Sequence, residues 1–122
     1  MTTMEIGTEL VALCRQNKNL EAIDTLYSRS IESIEAEPLP QMGKIQKGID
    51  AIKTKNQRWI ENSDIHRAEV NGPFPNGDQF IVYFSYDFTS KHTGSRRTMS
   101  EMGLYTVKDG KIVEEKFFYR WE

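Results

Sequence analysis

Residues 80–88 read Phe80-Ile81-Val82-Tyr83-Phe84-Ser85-Tyr86-Asp87-Phe88. Phe80, Val82, Phe84, Tyr86 and Phe88 alternate with Ile81, Tyr83, Ser85 and Asp87. A period of two sends successive side chains to opposite faces of an extended strand, so one face here is a row of large apolar groups. Toward the C-terminus, a polar turn near Gly94 leads into a second alternating stretch, Arg97 to Val107. Asp109-Gly110 between Lys108 and Lys111 predicts a two-residue hairpin, because both central positions need positive φ. The last strand is expected from Ile112 to about Trp121. Toward the N-terminus, Ile65 to Val70 reads as a strand. Asn71-Gly72-Pro73 and Pro75-Asn76-Gly77 are turn signals that separate it from the ring-lined one. Strands joined by tight turns must be antiparallel.

The first half has the helical period instead. Ile6, Leu10, Leu13 and Cys14 share one helical face. Asn17-Lys18-Asn19 breaks that helix, and Asn19 is the expected N-cap of a second whose apolar face is Leu20, Ile23, Leu26 and Tyr27. Ser30 to Glu37 reads as a short strand closed by Pro38 and Pro40, which lack ladder donors. Gln41 to Lys47 reads as a polar connection. After Gly48, the residues Ile49, Ile52, Asn56, Trp59 and Ile60 recur at helical spacing to about Asn62. Helices segregated from a run of strands indicate an α+β fold. A long twisted sheet with one aromatic face would curl around the helices and leave a cavity at its open end.

Composition narrows the function. The chain has 122 residues, which suits one domain over 1–122. Sixteen Lys plus Arg against 18 Asp plus Glu give a net charge of −2, no electrostatic footprint for nucleic acid. The local cluster Lys91, His92, Arg96 and Arg97 reads as a solvated turn. Cys14 is the only cysteine, so no internal disulfide is possible, and it reads as a small buried apolar residue. The N-terminus lacks a signal-peptide layout, and no apolar run approaches a membrane span of roughly 20 residues. A cytoplasmic location is therefore expected. No metal-ligand spacing, phosphate loop or nucleophile elbow is found, and no cofactor is expected.

At this point the sequence resembles a known family. Leu20 to Tyr27 with the strand after it, Gly48-Ile49-Asp50-Ala51-Ile52, the Phe80–Phe88 strand and Lys108-Asp109-Gly110-Lys111-Ile112-Val113 are similar to SnoaL-like polyketide cyclases. That group lies within the nuclear transport factor 2-like superfamily, which holds cyclases, isomerases, dehydratases, epoxide hydrolases and non-enzymatic binding domains. The resemblance implies a cone, a curved antiparallel sheet wrapped around the N-terminal helices. On that reading Phe80, Val82, Phe84, Tyr86 and Phe88 point inward. So do Met99, Glu101, Gly103, Tyr105 and Val107, and so do Val113, Glu115, Phe117, Tyr119 and Trp121. It also implies pairing of two copies through the outer sheet face, where Ile81, Tyr83, Met102, Leu104 and Phe118 would form an apolar patch.

Glu35 matches, by its strand position, the carboxylate base of ketosteroid isomerase-like members. The positions of that enzyme's tyrosine and protonated aspartate fall at Val11 and Gly103, so its oxyanion hole is not carried over. Glu101 and Glu115 interrupt otherwise apolar or small alternating sets. If both point inward, their mutual repulsion raises one pKa and lets one stay protonated as a donor. His66 alternates with Ala68 and Val70, is expected inward, and is a candidate acid or base. Asn56 on the third helix is a candidate partner for a ligand carbonyl. Trp59, Phe84, Tyr105, Phe117 and Tyr119 are candidate cavity walls, with Glu115 beside them. Two functions fit. One is a cofactor-free lyase or isomerase of the cyclase type, in which Glu35 or Glu101 takes a proton α to the carbonyl of a small apolar compound. The other is a non-catalytic ligand-binding or dimerisation domain.

Overall fold

A capping box starts the chain: the Thr2 side chain accepts from Glu5 N–H at 3.1 Å, and Glu5 accepts from Thr2 N–H at 2.9 Å. It satisfies two of the donors that a helix start leaves unpaired. The structure is a computed structural model and describes residues 1–119. Its elements are α1 (Thr3–Arg15), α2 (Asn19–Leu26), β1 (Tyr27–Leu39), β2 (Gly43–Lys47), α3 (Ile49–Asn62), β3 (Ser63–Asn76), β4 (Gln79–Ser90), β5 (Arg96–Lys108) and β6 (Lys111–Tyr119). The six strands form one sheet in the order β2-β1-β6-β5-β4-β3. The α+β expectation holds.

Four local expectations are corrected. Lys18 rather than Asn19 is the N-cap of α2, and it makes no side-chain cap. Tyr27 leaves the helix and opens β1. The stretch expected as a polar connection contains β2, whose only buried residue is Gln46. Nothing in its apolar pattern marks a strand; backbone pairing with β1 forms it. β3 runs on through Asn71-Gly72-Pro73 with a register shift between Asn71 and Phe74, and only the turn after Asn76 reverses the chain. Pro38 lies inside β1 where the β1–β2 register shifts, so its missing N–H costs no ladder bond there. Asp109 and Gly110 take φ of 51° and 75°, as the hairpin requires.

Pairing is antiparallel throughout except between β1 and β6, which run parallel. No tight turn joins those two, so nothing forces them antiparallel.

The inward faces follow alternation on β4 and β5: Phe80, Val82, Phe84, Phe88, Met99, Tyr105 and Val107 are buried. On β6 the phase breaks once. Thr106 pairs with Glu114 but Val107 with Ile112, which leaves Val113 as an extra residue. A bulge of this kind reverses alternation on its N-terminal side. Ile112, expected outward, is therefore fully buried, while Val113, expected inward, is only partly so. Trp121, also expected inward, lies outside the described residues.

The core joins Ile6, Leu10, Ile23, Leu26, Ile31, Ile52, Phe80, Val82 and Ile112. α1 lies close to the β3–β4 end of the sheet at Gly7, where a Cβ would be 2.8 Å from Pro73 Cβ and 3.2 Å from Phe80 Cδ2. Gly7→Ala gains about 1 kcal/mol of helix propensity. Against this stands overpacking against a rigid proline ring, about 1–3 kcal/mol. The expected outcome is a lower urea midpoint with an unchanged m-value; a raised midpoint would show that α1 does not press on β3 here.

Candidate functional site

The open end of the curved sheet, roofed by α3, encloses a cavity of about 630 Å³. Ligand sites commonly span roughly 300–1,000 Å³. Trp59, Phe84, Tyr86, Tyr105, Phe117 and Tyr119 supply its aromatic walls. Trp59 meets Phe88 edge-on at 4.9 Å and Tyr86 at 5.6 Å, and Tyr105 meets Phe117 edge-on at 6.2 Å. These contacts fix the ring planes. Gly103 carries no side chain because Tyr105 and Phe117 fill its space: a Cβ there would be 2.8 Å from the Tyr105 ring.

One polar network lies against these rings. Alternation along β1 turns Ile31, Ser33 and Glu35 inward, and all three are buried. Lys55 reaches down from α3 and donates to Glu35 Oε1 at 2.9 Å and to Gln46 Oε1 at 3.2 Å. It also donates to Ser33 Oγ. Glu115 on β6 is 3.7 Å from the same ammonium and accepts from the Tyr27 hydroxyl. The ammonium lies 5.2 Å from the centre of the Phe117 ring, within cation–π range. Burial, together with the Glu115 carboxylate, pushes the Tyr27 hydroxyl well above its usual range.

Glu101 is different. It lines the cavity from β5 and makes no hydrogen bond or ion pair with the described residues. Every fully buried side-chain polar atom described here has a partner, so the unpartnered carboxyl oxygens of Glu101 are open to the cavity. Burial first, then the neighbouring Glu35, raise its pKa to about 8, with Lys55 acting in the opposite direction. At neutral pH this carboxyl is mostly protonated and can donate a hydrogen bond.

The structure thus brings together Glu35, Glu101, Glu115, Asn56, Trp59, Phe84, Tyr105, Phe117 and Tyr119 around one cavity. Asn56 spends one amide donor on the Ile52 carbonyl at 3.0 Å. His66 is not brought there. Ile65 pairs with Phe88 but Arg67 with Asp87, so His66 is the extra residue of a bulge. Its exposed side chain meets Thr89 Oγ1 at 2.7 Å. The alternation that suggested an inward His66 is broken at that residue.

Sequence reasoning missed Lys55, Tyr27, Arg58 and His92. Lys55 had a signal: it lies three residues after Ile52 and four before Trp59, on the buried face of α3. Tyr27 was hidden because it reads equally well as the end of a helical stripe. Cys14 also lines the cavity, and burial pushes its thiol up to about 12, which makes it unreactive. Among the described residues, no group of three or more His, Cys, Asp or Glu is placed to hold a metal. No described helix is long and apolar enough to cross a membrane.

The profile of the SnoaL-like domain family matches residues 1–119. The chain belongs to that family. A candidate SnoaL-like polyketide cyclase from Mesorhizobium loti, also labelled a carbohydrate phosphatase, is 44% identical with a TM-score of 0.91, and the match covers 98% of this chain and 100% of that one. An NTF2-like protein from Burkholderia thailandensis is 21% identical with a TM-score of 0.82, over 98% of this chain and 92% of that one. A candidate isomerase from Bacillus subtilis is 16% identical with a TM-score of 0.79, over 98% and 90%. The last two likenesses concern the fold alone. No curated protein matches the chain. A SnoaL-like domain with NTF2-like architecture is what these likenesses agree on.

The Glu101 environment makes the stability of this SnoaL-like domain depend on pH. Its native pKa of about 8 lies above the ordinary 4.5, so the native state keeps a proton that the unfolded chain releases between those values. The contribution is intact below about 4.5 and is lost as pH rises through about 8. Glu101→Gln keeps the shape and removes the titration. Wild-type stability relative to Glu101→Gln should fall steadily across that window in urea unfolding at several pH values. A constant difference would mean that Glu101 is solvated.

Proposed function

We propose that the domain is a cofactor-free lyase or isomerase of the cyclase type, acting on a small apolar compound that carries a carbonyl group. Glu35 takes a proton α to the carbonyl, and the neutral Glu101 donates a hydrogen bond to the carbonyl oxygen as enolate charge develops. The observation that carries this reading is the contrast between two carboxyl groups lining one cavity. Glu35 is ion-paired with Lys55, and Glu101 is desolvated, unpartnered and mostly protonated. A desolvated carboxyl group beside one ion-paired to an ammonium suits the acid and base halves of one reaction. The match to a candidate polyketide cyclase over the whole of both domains supports the same class of substrate.

The test uses α-tetralone, a small bicyclic aromatic ketone, in deuterated water. Wild-type protein should accelerate deuterium exchange at the carbon α to the carbonyl, read by proton NMR. Glu35→Gln should lose about 100-fold or more of that acceleration. Glu101→Gln should lose less, because an amide still donates, and its remaining activity should lack the wild-type decline above about pH 8. Exchange no faster than in buffer, or equal in wild type and Glu35→Gln, would remove the proposal.

The proposal extends to a homodimer through the outer face of the sheet. Ile81, Met102 and Phe118 are 38%, 49% and 51% exposed. The register makes them continuous: Ile81 pairs with Leu104, Tyr83 with Met102, and Met102 with Phe118. A patch of this kind is seldom left to water by a soluble monomer, and a two-fold contact covers it on both copies at once. Sedimentation at micromolar concentration should show a dimer, and Leu104→Arg should give monomers. A monomeric wild type would refute the pairing.

A further inference from the structure

We infer that the ligand of this cavity carries a carboxylate or an equivalent anionic group, and that this group stays at the mouth against Arg58 and His92 while the uncharged end lies inside. The inner end rests on the carbonyl chemistry proposed above; the outer end rests on a separate set of observations.

Among the described residues, six ionisable side chains of acidic or basic type line the cavity: Glu35, Lys55, Arg58, His92, Glu101 and Glu115. They divide by depth. Glu35, Lys55 and Glu115 are 9%, 11% and 2% exposed, and burial of Glu101 raises its pKa. The interior therefore holds three carboxyl groups around one ammonium, and that ammonium already serves Ser33, Glu35 and Gln46. An anion taken inside would meet like charge in a medium of low polarity and find no unused cation among the described residues.

Arg58 and His92, by contrast, are exposed. Neither makes an ion pair or side-chain hydrogen bond with the described residues. They come from distant parts of the chain, α3 and the β4–β5 turn. The Lys91 N–H donates to the Asn62 carbonyl at 2.9 Å, which pins the turn bearing His92 onto the end of α3, one turn beyond Arg58. Among the described residues, no acidic side chain lines the cavity beyond the three interior ones. A helix C-terminus carries roughly half a negative charge, but one of its carbonyls here is taken by Lys91, and the guanidinium contributes a full positive charge. Its planar fork suits a carboxylate. The field along the cavity thus runs from acidic floor to basic mouth, and it orients an acid-bearing flat molecule with its neutral end inward.

The test compares 3-hydroxy-2-naphthoate with its methyl ester by calorimetric titration, on wild type, Arg58→Gln and Arg58→Gln/His92→Gln. An exposed charge pair contributes modestly and is screened by salt. The acid should bind about tenfold tighter than the ester at low ionic strength. The preference should fall to about threefold or less in Arg58→Gln and vanish in the double variant. It should also weaken in high salt, with ester affinity constant across wild type and both variants. Equal binding of acid and ester by wild type would overturn the inference. So would an acid preference that survives the double variant, which would put the anion inside, and so would binding of neither compound. A wild type that shows no acid preference but accelerates α-tetralone exchange rejects the mouth and leaves the chemistry; the reverse pattern rejects the chemistry and leaves the mouth.

Discussion

The Lys55 ammonium is the constraint on which the open end of the cone depends. It ties α3 to three strands at once, through Ser33 and Glu35 on β1, Gln46 on β2 and Glu115 on β6. Burying an ammonium and carboxylates together repays its desolvation cost only when geometry is good and the remaining polar atoms are satisfied. Here the condition is met: Tyr27 takes one oxygen of Glu115, and Gln46 donates onward to the Gly43 carbonyl at 2.9 Å. A buried ion pair of this kind commonly contributes no more to stability than an apolar filling of the same space. It does fix where α3 can sit, and α3 carries Asn56, Arg58 and Trp59 to the cavity.

The charge count of that network explains the behaviour of Glu101. One ammonium cannot balance three carboxyl groups in a desolvated space. Lys55 stands against Glu35 and Glu115, and the third group relieves the excess by holding its proton. The proton on Glu101 is thus a property of the whole cluster rather than of one residue. The aromatic walls take part by excluding water, since rings held edge-to-face cannot swing aside to admit a hydration shell.

What the sequence made legible is what repeats. β4 and β5 alternate without a break, so their inward faces, with Glu101 and Tyr105 on them, could be read directly. The Asp109-Gly110 hairpin was legible because its φ values admit few residue types. The losses came at single-residue breaks in period. The bulge at Val113 turned Ile112 inward, and the bulge at His66 turned that side chain out. A bulge has no apolar signature, so nothing local announces it. β2 escaped because its pairing is backbone-made and its buried residue is a glutamine. Lys55 escaped for a different reason. A lysine at a core-facing helical position reads as solvated until the carboxyl groups that receive it are known, and those lie on strands far away in sequence.

The parallel pairing of β1 with β6 has a consequence for how the domain comes into being. Tyr27 and Glu115, hydrogen-bonded in the finished fold, are 88 positions apart in the chain. Contacts of such long range are slow to form, because a large loop must close before they reward it. While the polypeptide is being made, β1 has only the short β2 to lean on, and one side of its backbone ladder stays empty until β6, which follows every other described strand in the chain, arrives to fill it. Lys55 and Glu35 are already made by then, but the third wall of their enclosure is not. The enclosure around Lys55 is therefore completed only when β6 pairs, and a chain without β6 would hold Glu35 without the Glu115 side of the cavity.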